Sequence, residues 1–334
     1  MTYIEKSISH APWRFCIAPM MDWSDRHCRF FWRLQTQEAR LYTEMVTTGA
    51  MLHGDRDYLL GYDAREHPLA LQVGGSNPTE LAQCAEIATQ RGFAEVNLNC
   101  GCPSDRVQHN KIGACLMAEP ELVAKCVKEM KKATDRPVTV KHRLGIDELD
   151  SWEHLVHFVD TVAHAGCEVF IVHARKAWLQ GLSPKQNREV PPLNYARVIK
   201  LKEHFPHLTI IVNGGIQTLE QCESLLGSVD GVMMGREAYN NPYILNDVDS
   251  RLFNSCGQST KRGELMAALI TYCEQQLEQG VKLHHVTRHI LGLYNGVPGA
   301  RAFRRHLSTH ATRPGAHIEV IQEALGKLQD ETTL

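Results

Sequence analysis

A (β/α)8 TIM barrel followed by an all-α helical C-terminal domain is the fold class this sequence predicts, on three observations. Strand-like and helix-like stretches alternate eight times between Phe15 and Arg236, as parallel α/β architectures require. Glycines gather after the last two strands, and no G-x-G-x-x-G follows the first, which argues against a doubly wound sheet. Beyond Asp249 only helical periodicity remains. The expected organisation is a barrel over residues 1–246 and a helical domain over 247–334.

Taken in order, Phe15 to Met20 reads as the first strand, ending in Ala18-Pro19-Met20-Met21, with a helix from about Ser24 to Leu34. Leu41 to Val46 and Leu69 to Val73 are the second and third strands, the latter closed by Gly74-Gly75. Asn77-Pro78-Thr79-Glu80 opens a helix, with an N-cap residue, proline at N1 and glutamate at N3. Glu95 to Asn99 is the fourth strand. After it come a helix from Glu119 to Lys132, a fifth strand from Val138 to Lys141 and a helix from Ser151 to Ala165. Glu168 to Val172 is the sixth strand, and an irregular insertion, Lys176 to Pro192, precedes a helix near Tyr195 to His204. Leu208 to Val212 and Gly231 to Met234 are the last two strands, separated by a helix opened by Thr218 with Gln221 at N3. The tail reads as helices over Glu264–Gln279, Leu283–Tyr294, Arg301–Ser308 and His317–Leu328.

Strand ends carry the chemistry in such a fold. The fourth strand runs into Asn99-Cys100-Gly101-Cys102-Pro103, where Gly101 permits a turn and Pro103 cannot continue the ladder. Two thiols therefore sit where a reactive group belongs, and the pattern alone does not choose between them. No second Cys or His pair stands at finger-like spacing, so no metal site is expected. Lys141 and His173 end the fifth and sixth strands. Lys141 fits a core ion pair, a Schiff-base lysine or a cation beside an electron-accepting ring. Asn213-Gly214-Gly215 and Gly235-Arg236 together supply close backbone N–H groups and a guanidinium, which suits a phosphate.

Composition narrows the setting. With 43% hydrophobic residues the chain can build a large core. Met1 to His10 lacks the apolar core of a signal peptide, and no uninterrupted apolar run approaches ~18 residues. Eleven cysteines, scattered without a small-scaffold framework, suit a reducing cytoplasm. A cytoplasmic monomer with no membrane association is the expectation. The net charge of −2 is unevenly distributed: from Arg251 onward there are ten Lys/Arg against seven Asp/Glu, and no acid between Glu278 and Glu319. That acid-free stretch, holding Arg301, Arg304 and Arg305 at i, i+3 and i+4, favours contact with nucleic-acid phosphates. Lys185 and Arg188 give the insertion a second cationic patch.

As a set, Pro19-Met20-Met21-Asp22, Asn97-x-Asn99-x-Gly101-Cys102-Pro103, Val140-Lys141-x-Arg143, His173-x-Arg175, Asn213-Gly214-Gly215 and Gly235-Arg236 resemble the tRNA-dihydrouridine synthases. The insertion with Ser183-Pro184-Lys185-x-Asn187-Arg188 resembles that of the A branch. The resemblance implies an FMN-dependent enzyme that uses NADPH to reduce uridines 20 and 20a of the tRNA D-loop. It places Pro19, Met20 and Met21 against the flavin ring, Gln72, Lys141 and His173 at the ring's polar edge, and Asn213, Gly214, Gly215, Gly235 and Arg236 around the phosphate. It makes Cys102 the acid and leaves Cys100 without a role. Asn99, Lys185, Arg188, Arg301 and Arg304 are then the tRNA contacts. The chemistry suits these residues: the uracil 5,6 double bond is conjugated to the C4 carbonyl, so hydride goes to C6 and a proton to C5. A free thiol titrates near ~8.5 and can act as an acid at neutral pH. Two other classes compete. A flavin-barrel dehydrogenase of free pyrimidines leaves the basic tail unexplained, and a flavin-free RNA-binding barrel leaves the phosphate motifs unexplained.

Overall fold

The computed structural model describes residues 12–104, 111–255 and 259–328; Met1–His10, read above as lacking a leader, lie outside them. Every expected barrel strand is present. They are Phe15–Ile17 (β1), Leu41–Tyr42 (β2), Val46–Thr47 (β3), Leu69–Gly74 (β4), Glu95–Cys100 (β5), Val138–Arg143 (β6), Val169–His173 (β7), Thr209–Asn213 (β8) and Gly231–Met234 (β9). All pair in parallel, in the order β1-β9-β8-β7-β6-β5-β4-β2, with β3 also on β4. The ring closes where the Arg40 N–H donates to the Phe15 carbonyl and the Ile17 N–H to the Arg40 carbonyl, at 3.0 and 2.9 Å.

The second expected strand is broken, and a side chain breaks it. At Thr43 the hydroxyl oxygen, at 3.0 Å, takes the Gln72 N–H that a strand carbonyl would have accepted. The chain resumes pairing at Val46.

Side-chain alternation divides the interior in two. Cys16, Tyr42, Ala70, Ile171, Ile211 and Met233 fill the barrel. Their neighbours along each strand meet the helix layer in a larger apolar core. That layer begins with Arg26–Arg33 (α1), capped by Asp25, then two short helices the sequence reading passed over, Thr48–His53 (α2) and Arg56–Leu60 (α3). Pro78–Gln90 (α4) starts on the Asn77 carboxamide, which accepts the Thr79 and Glu80 N–H groups. Pro120–Ala133 (α5), Trp152–His164 (α6) and Tyr195–His204 (α7) follow, and Leu219–Leu226 (α8) opens on the expected Thr218/Gln221 capping box.

The remaining helices are Arg236–Asn240 (α9), Val248–Phe253 (α10), Arg262–Glu278 (α11), Leu283–Thr287 (α12), Ala300–His310 (α13) and Glu319–Leu325 (α14). The helix expected to run from Leu283 to Tyr294 stops at Thr287. Beyond it Gly292 lies so close to the barrel that a Cβ would stand 2.2 Å from the Asn240 carbonyl oxygen, and turns replace the helix. The tail is seated on α1. Phe30 stacks on Tyr272 at 3.8 Å, His27 Nδ1 lies 2.8 Å from the Tyr272 hydroxyl, and Asp25 takes both Arg288 and His289. Apolar packing runs without a break from barrel to tail.

Candidate active site

On β5 the alternation sends Glu95, Asn97 and Asn99 into the barrel, and Val96, Leu98 and Cys100 into the helix layer. Cys100 is fully buried in that layer, and burial pushes its thiol well up. It is a packing residue. Cys102 lies beyond the strand, half-buried, on a loop pinned from several sides. The Asn99 Oδ1 accepts from the N–H groups of Gly101 and Cys102, both at 3.0 Å. Arg143 Nε donates to the Gly101 carbonyl at 2.9 Å, and the Ala114 N–H donates to the Cys102 carbonyl at 2.8 Å. Gly113, at φ +85°, would place a Cβ 2.4 Å from that carbonyl oxygen, so no larger residue fits. Asn99 was expected to face a base. In the structure its oxygen is spent on the loop and one amide N–H on Gln72 Oε1 at 2.8 Å, which leaves one N–H for other partners.

Lys141, from β6, directs its amine at Asn213 Oδ1, 3.1 Å away, with no carboxylate in salt-bridge range among the described residues. Burial, reinforced by Arg143, pulls this amine down to about 7. The Asn213 Nδ2 in turn donates to the Met233 carbonyl at 2.8 Å. The Asn213 side chain therefore orients Lys141, while the two glycines after it form the bend. Gly214 and Gly215 take φ +115° and +68°, and a Cβ on Gly214 would stand 2.6 Å from His173 Cδ2. Burial, followed by the cations Arg143, Lys141, Arg175 and Arg188, holds the His173 imidazole neutral. Gly235 differs: a Cβ there would meet only Ala18, at 3.9 Å, so its backbone borders open space.

Arg236 pairs at 2.8 Å with Glu189 of the insertion, a partner the sequence reading did not anticipate. Arg175 Nη1 donates to the Glu189 and Pro191 carbonyls, and the Arg188 guanidinium feels both burial and Arg236. Arg236 thus pairs with the Glu189 carboxylate, while Arg175 holds the backbone beside it. The insertion is built round Asn187, whose buried carboxamide accepts the Trp178 N–H at 2.8 Å and donates to the Trp178 and Leu182 carbonyls. Arg143 ties it to the thiol loop by donating to the Lys176 and Asn187 carbonyls at 3.1 and 3.0 Å. The motif held Arg143, but nothing in it showed three backbone acceptors.

At the end of β1, Pro19 and Met20 are half-buried and Met21 is 57% exposed, an apolar edge at the barrel mouth. Gln72 is buried, with its Nε2 donating to Asn97 Oδ1 at 2.7 Å. Lys185 and Arg188 are exposed on the insertion, as are Arg301 and Arg305 on α13. Arg304 is half-exposed and donates to Asn295 Oδ1. Among the described residues none of these five cations joins an ion pair.

A match to the family described as dihydrouridine synthase spans residues 16–329. Among similar curated proteins, one from Shewanella oneidensis is 59% identical over 317 residues, covering 95% of this chain and 94% of that protein. One from Vibrio parahaemolyticus is 57% identical over 319 residues, covering 95% and 98%. One from Escherichia coli K12 is 55% identical over 328 residues, covering 98% and 95%. Each is named tRNA-dihydrouridine(20/20a) synthase.

Proposed function

The chain belongs to the dihydrouridine synthase family, an oxidoreductase family reducing uridine in tRNA to dihydrouridine, and from that premise we propose FMN as its flavin, NADPH as its reductant and Cys102 as its acid. The proposed targets are uridines 20 and 20a of the D-loop. The residues present fit such a cofactor. A half-buried lysine with no carboxylate in salt-bridge range among the described residues, a guanidinium held by a single carboxylate and glycine backbone bordering open space suit a group with a phosphate at one end and an electron-rich ring at the other. When bound, the reduced flavin supplies the hydride that enters at uracil C6.

The chain's own residues do the rest. Gly214, Gly215, Gly235 and Arg236 would hold the phosphate, with Arg236 released from Glu189 to do so. Lys141, aimed by Asn213, would hold the ring's polar edge together with Gln72 and His173, and Pro19, Met20 and Met21 would cover its apolar part. Cys102 Sγ–H holds the proton destined for C5, and its loop is fixed by Asn99, Arg143 and Ala114. A uracil reaching Cys102 must leave its stack in the tRNA. Lys185, Arg188, Arg301 and Arg304 meet the phosphates on either side.

The pinned, half-buried Cys102, with Lys141 near it and in no ion pair among the described residues, carries this reading. The test is mapping dihydrouridine in tRNA from cells lacking the protein. Loss at positions 20 and 20a, restored by wild type but not by Cys102→Ala, is expected. Unchanged dihydrouridine would overturn it, and purified protein oxidised equally well by free uridine and by tRNA would favour a pyrimidine dehydrogenase.

A further inference from the structure

The floor of the barrel is joined to the thiol loop by buried hydrogen bonds that all run one way. Asn99 Nδ2 donates to Gln72 Oε1 at 2.8 Å, Gln72 Nε2 to Asn97 Oδ1 at 2.7 Å, Asn97 Nδ2 to Thr139 Oγ at 2.7 Å, and the Thr139 hydroxyl to Glu95 Oε1 at 2.5 Å. Gln72, Asn97, Thr139 and Glu95 are all at most 1% exposed. Glu95 also accepts from Trp13 Nε1, Arg40 Nη1 and the Tyr42 hydroxyl, at 2.7, 3.2 and 2.9 Å.

A carboxamide occupies almost the same volume when turned by 180°, so shape does not choose its orientation; its partners do. A carboxylate has no hydrogen to give. The Thr139 hydroxyl must therefore donate downward and accept from above, which turns the nitrogen of Asn97 toward it. The same logic turns Gln72, and then Asn99. At the top, the Asn99 oxygen is left facing two backbone N–H groups. Reversing the chain would set its NH2 against them, in a place with little water to compensate.

We infer that Glu95 and Thr139 are positioning residues for Cys102: by fixing the direction of this chain they hold the Gly101–Cys102 backbone in the place the thiol needs. The inference rests on the reading of Cys102 as the acid. Neither residue borders the mouth of the barrel, and an acid among strand residues would otherwise pass for a structural counter-ion to Arg40.

Thr139→Val cuts the chain while keeping side-chain shape and the Glu95–Arg40 pair, and Thr139→Ser keeps the hydroxyl. Two readouts separate positioning from packing. The first is the rate at which iodoacetamide alkylates Cys102 in the purified protein, followed by peptide mass spectrometry. The second is stopped-flow flavin reoxidation by unmodified tRNA, set beside flavin reduction by NADPH. In Thr139→Val alkylation should quicken at least about twofold and reoxidation slow by about tenfold or more, with NADPH-driven reduction unchanged. Thr139→Ser should restore both, and Glu95→Gln should resemble Thr139→Val. Wild-type alkylation and reoxidation in Thr139→Val would overturn the inference. So would a parallel loss of both half-reactions with falling flavin content, which marks general loosening. If Cys102→Ala reoxidises at the wild-type rate, the acid assignment fails, yet the alkylation comparison still reports whether the chain places the thiol.

Discussion

Lys141 is the side chain whose charge the fold resists most usefully. Its amine is pulled down to about 7, chiefly by burial, from an ordinary value near 10.5. Between those two values the unfolded chain binds a proton that the folded one does not, so stability rises with pH across that window. Below about 7 the cost is constant. Lys141→Met removes it: the flavin-free variant should melt above flavin-free wild type at pH 7, with the difference fading toward pH 10. Flavin retention on gel filtration should move the opposite way. A lower melting point at pH 7 would show that the lysine is a net stabiliser. The thiols offer a second contrast. Cys102→Ala should accept electrons from NADPH but stall on tRNA, by about 10²-fold or more, whereas Cys100→Ala should keep its rate and lose about 1 kcal/mol of stability. The strand-end positions of Cys100, Cys102, Lys141 and His173 were legible because strand ends are recognisable, but the pattern did not choose between the two thiols; only the family resemblance did. Glu95 and Thr139 were not, because an inward-facing polar residue looks in sequence like any alternate strand position.

Elements with local signals were the easiest to read. Asn77, Ser151 and Thr218 each cap the helix their sequence announces. The α2 and α3 pair carries comparable signals in Thr47 and Asp55, which cap it, but its helices of six and five residues are too short to show a periodicity. The break at Thr43 and the early stop of α12 were hidden, since each depends on a distant partner, Gln72 or Asn240. Helix α13 buries Phe303 and Leu307 and turns Arg301 and Arg305 outward, without ion pairs among the described residues. Arg301→Ala with Arg304→Ala should therefore weaken tRNA binding and flatten its salt dependence, by a slope of about two. The melting point should stay within about a degree, surface changes of this kind being nearly neutral. Wild-type affinity with a depressed melting point would make the helix structural.

At the scale of the whole molecule, the eight-fold alternation was plain, but the seating of the tail was not. It depends on pairs such as Asp25 with His289, 264 residues apart. Burial opposes ionisation of Asp25, yet His289, the Cys28 N–H and Arg288 hold its carboxyl well below the usual range. Asp25→Ala removes the acceptor for both tail residues and the cap of α1, and should cost about 3 kcal/mol. Thermal melting should remain a single transition, shifted down, because apolar packing is continuous from barrel to tail. Two resolved transitions in a calorimeter would instead show a tail that folds by itself beyond residue 246.

The Arg143 guanidinium grips three carbonyls on two loops, one beside the thiol and two in the insertion. Leverage follows from that arrangement. If Cys102 is the acid and tRNA meets the insertion, as proposed, a tRNA leaning on the insertion would also load the Cys102 loop, while a free nucleoside in the pocket would move neither. On that proposal, discrimination against free nucleosides would lie in whether the proton is delivered rather than in whether the base is bound. Arg143→Lys keeps the charge but cannot span all three carbonyls with the same planar fork. It should narrow the gap between tRNA and free uridine as oxidants, mostly by slowing the former.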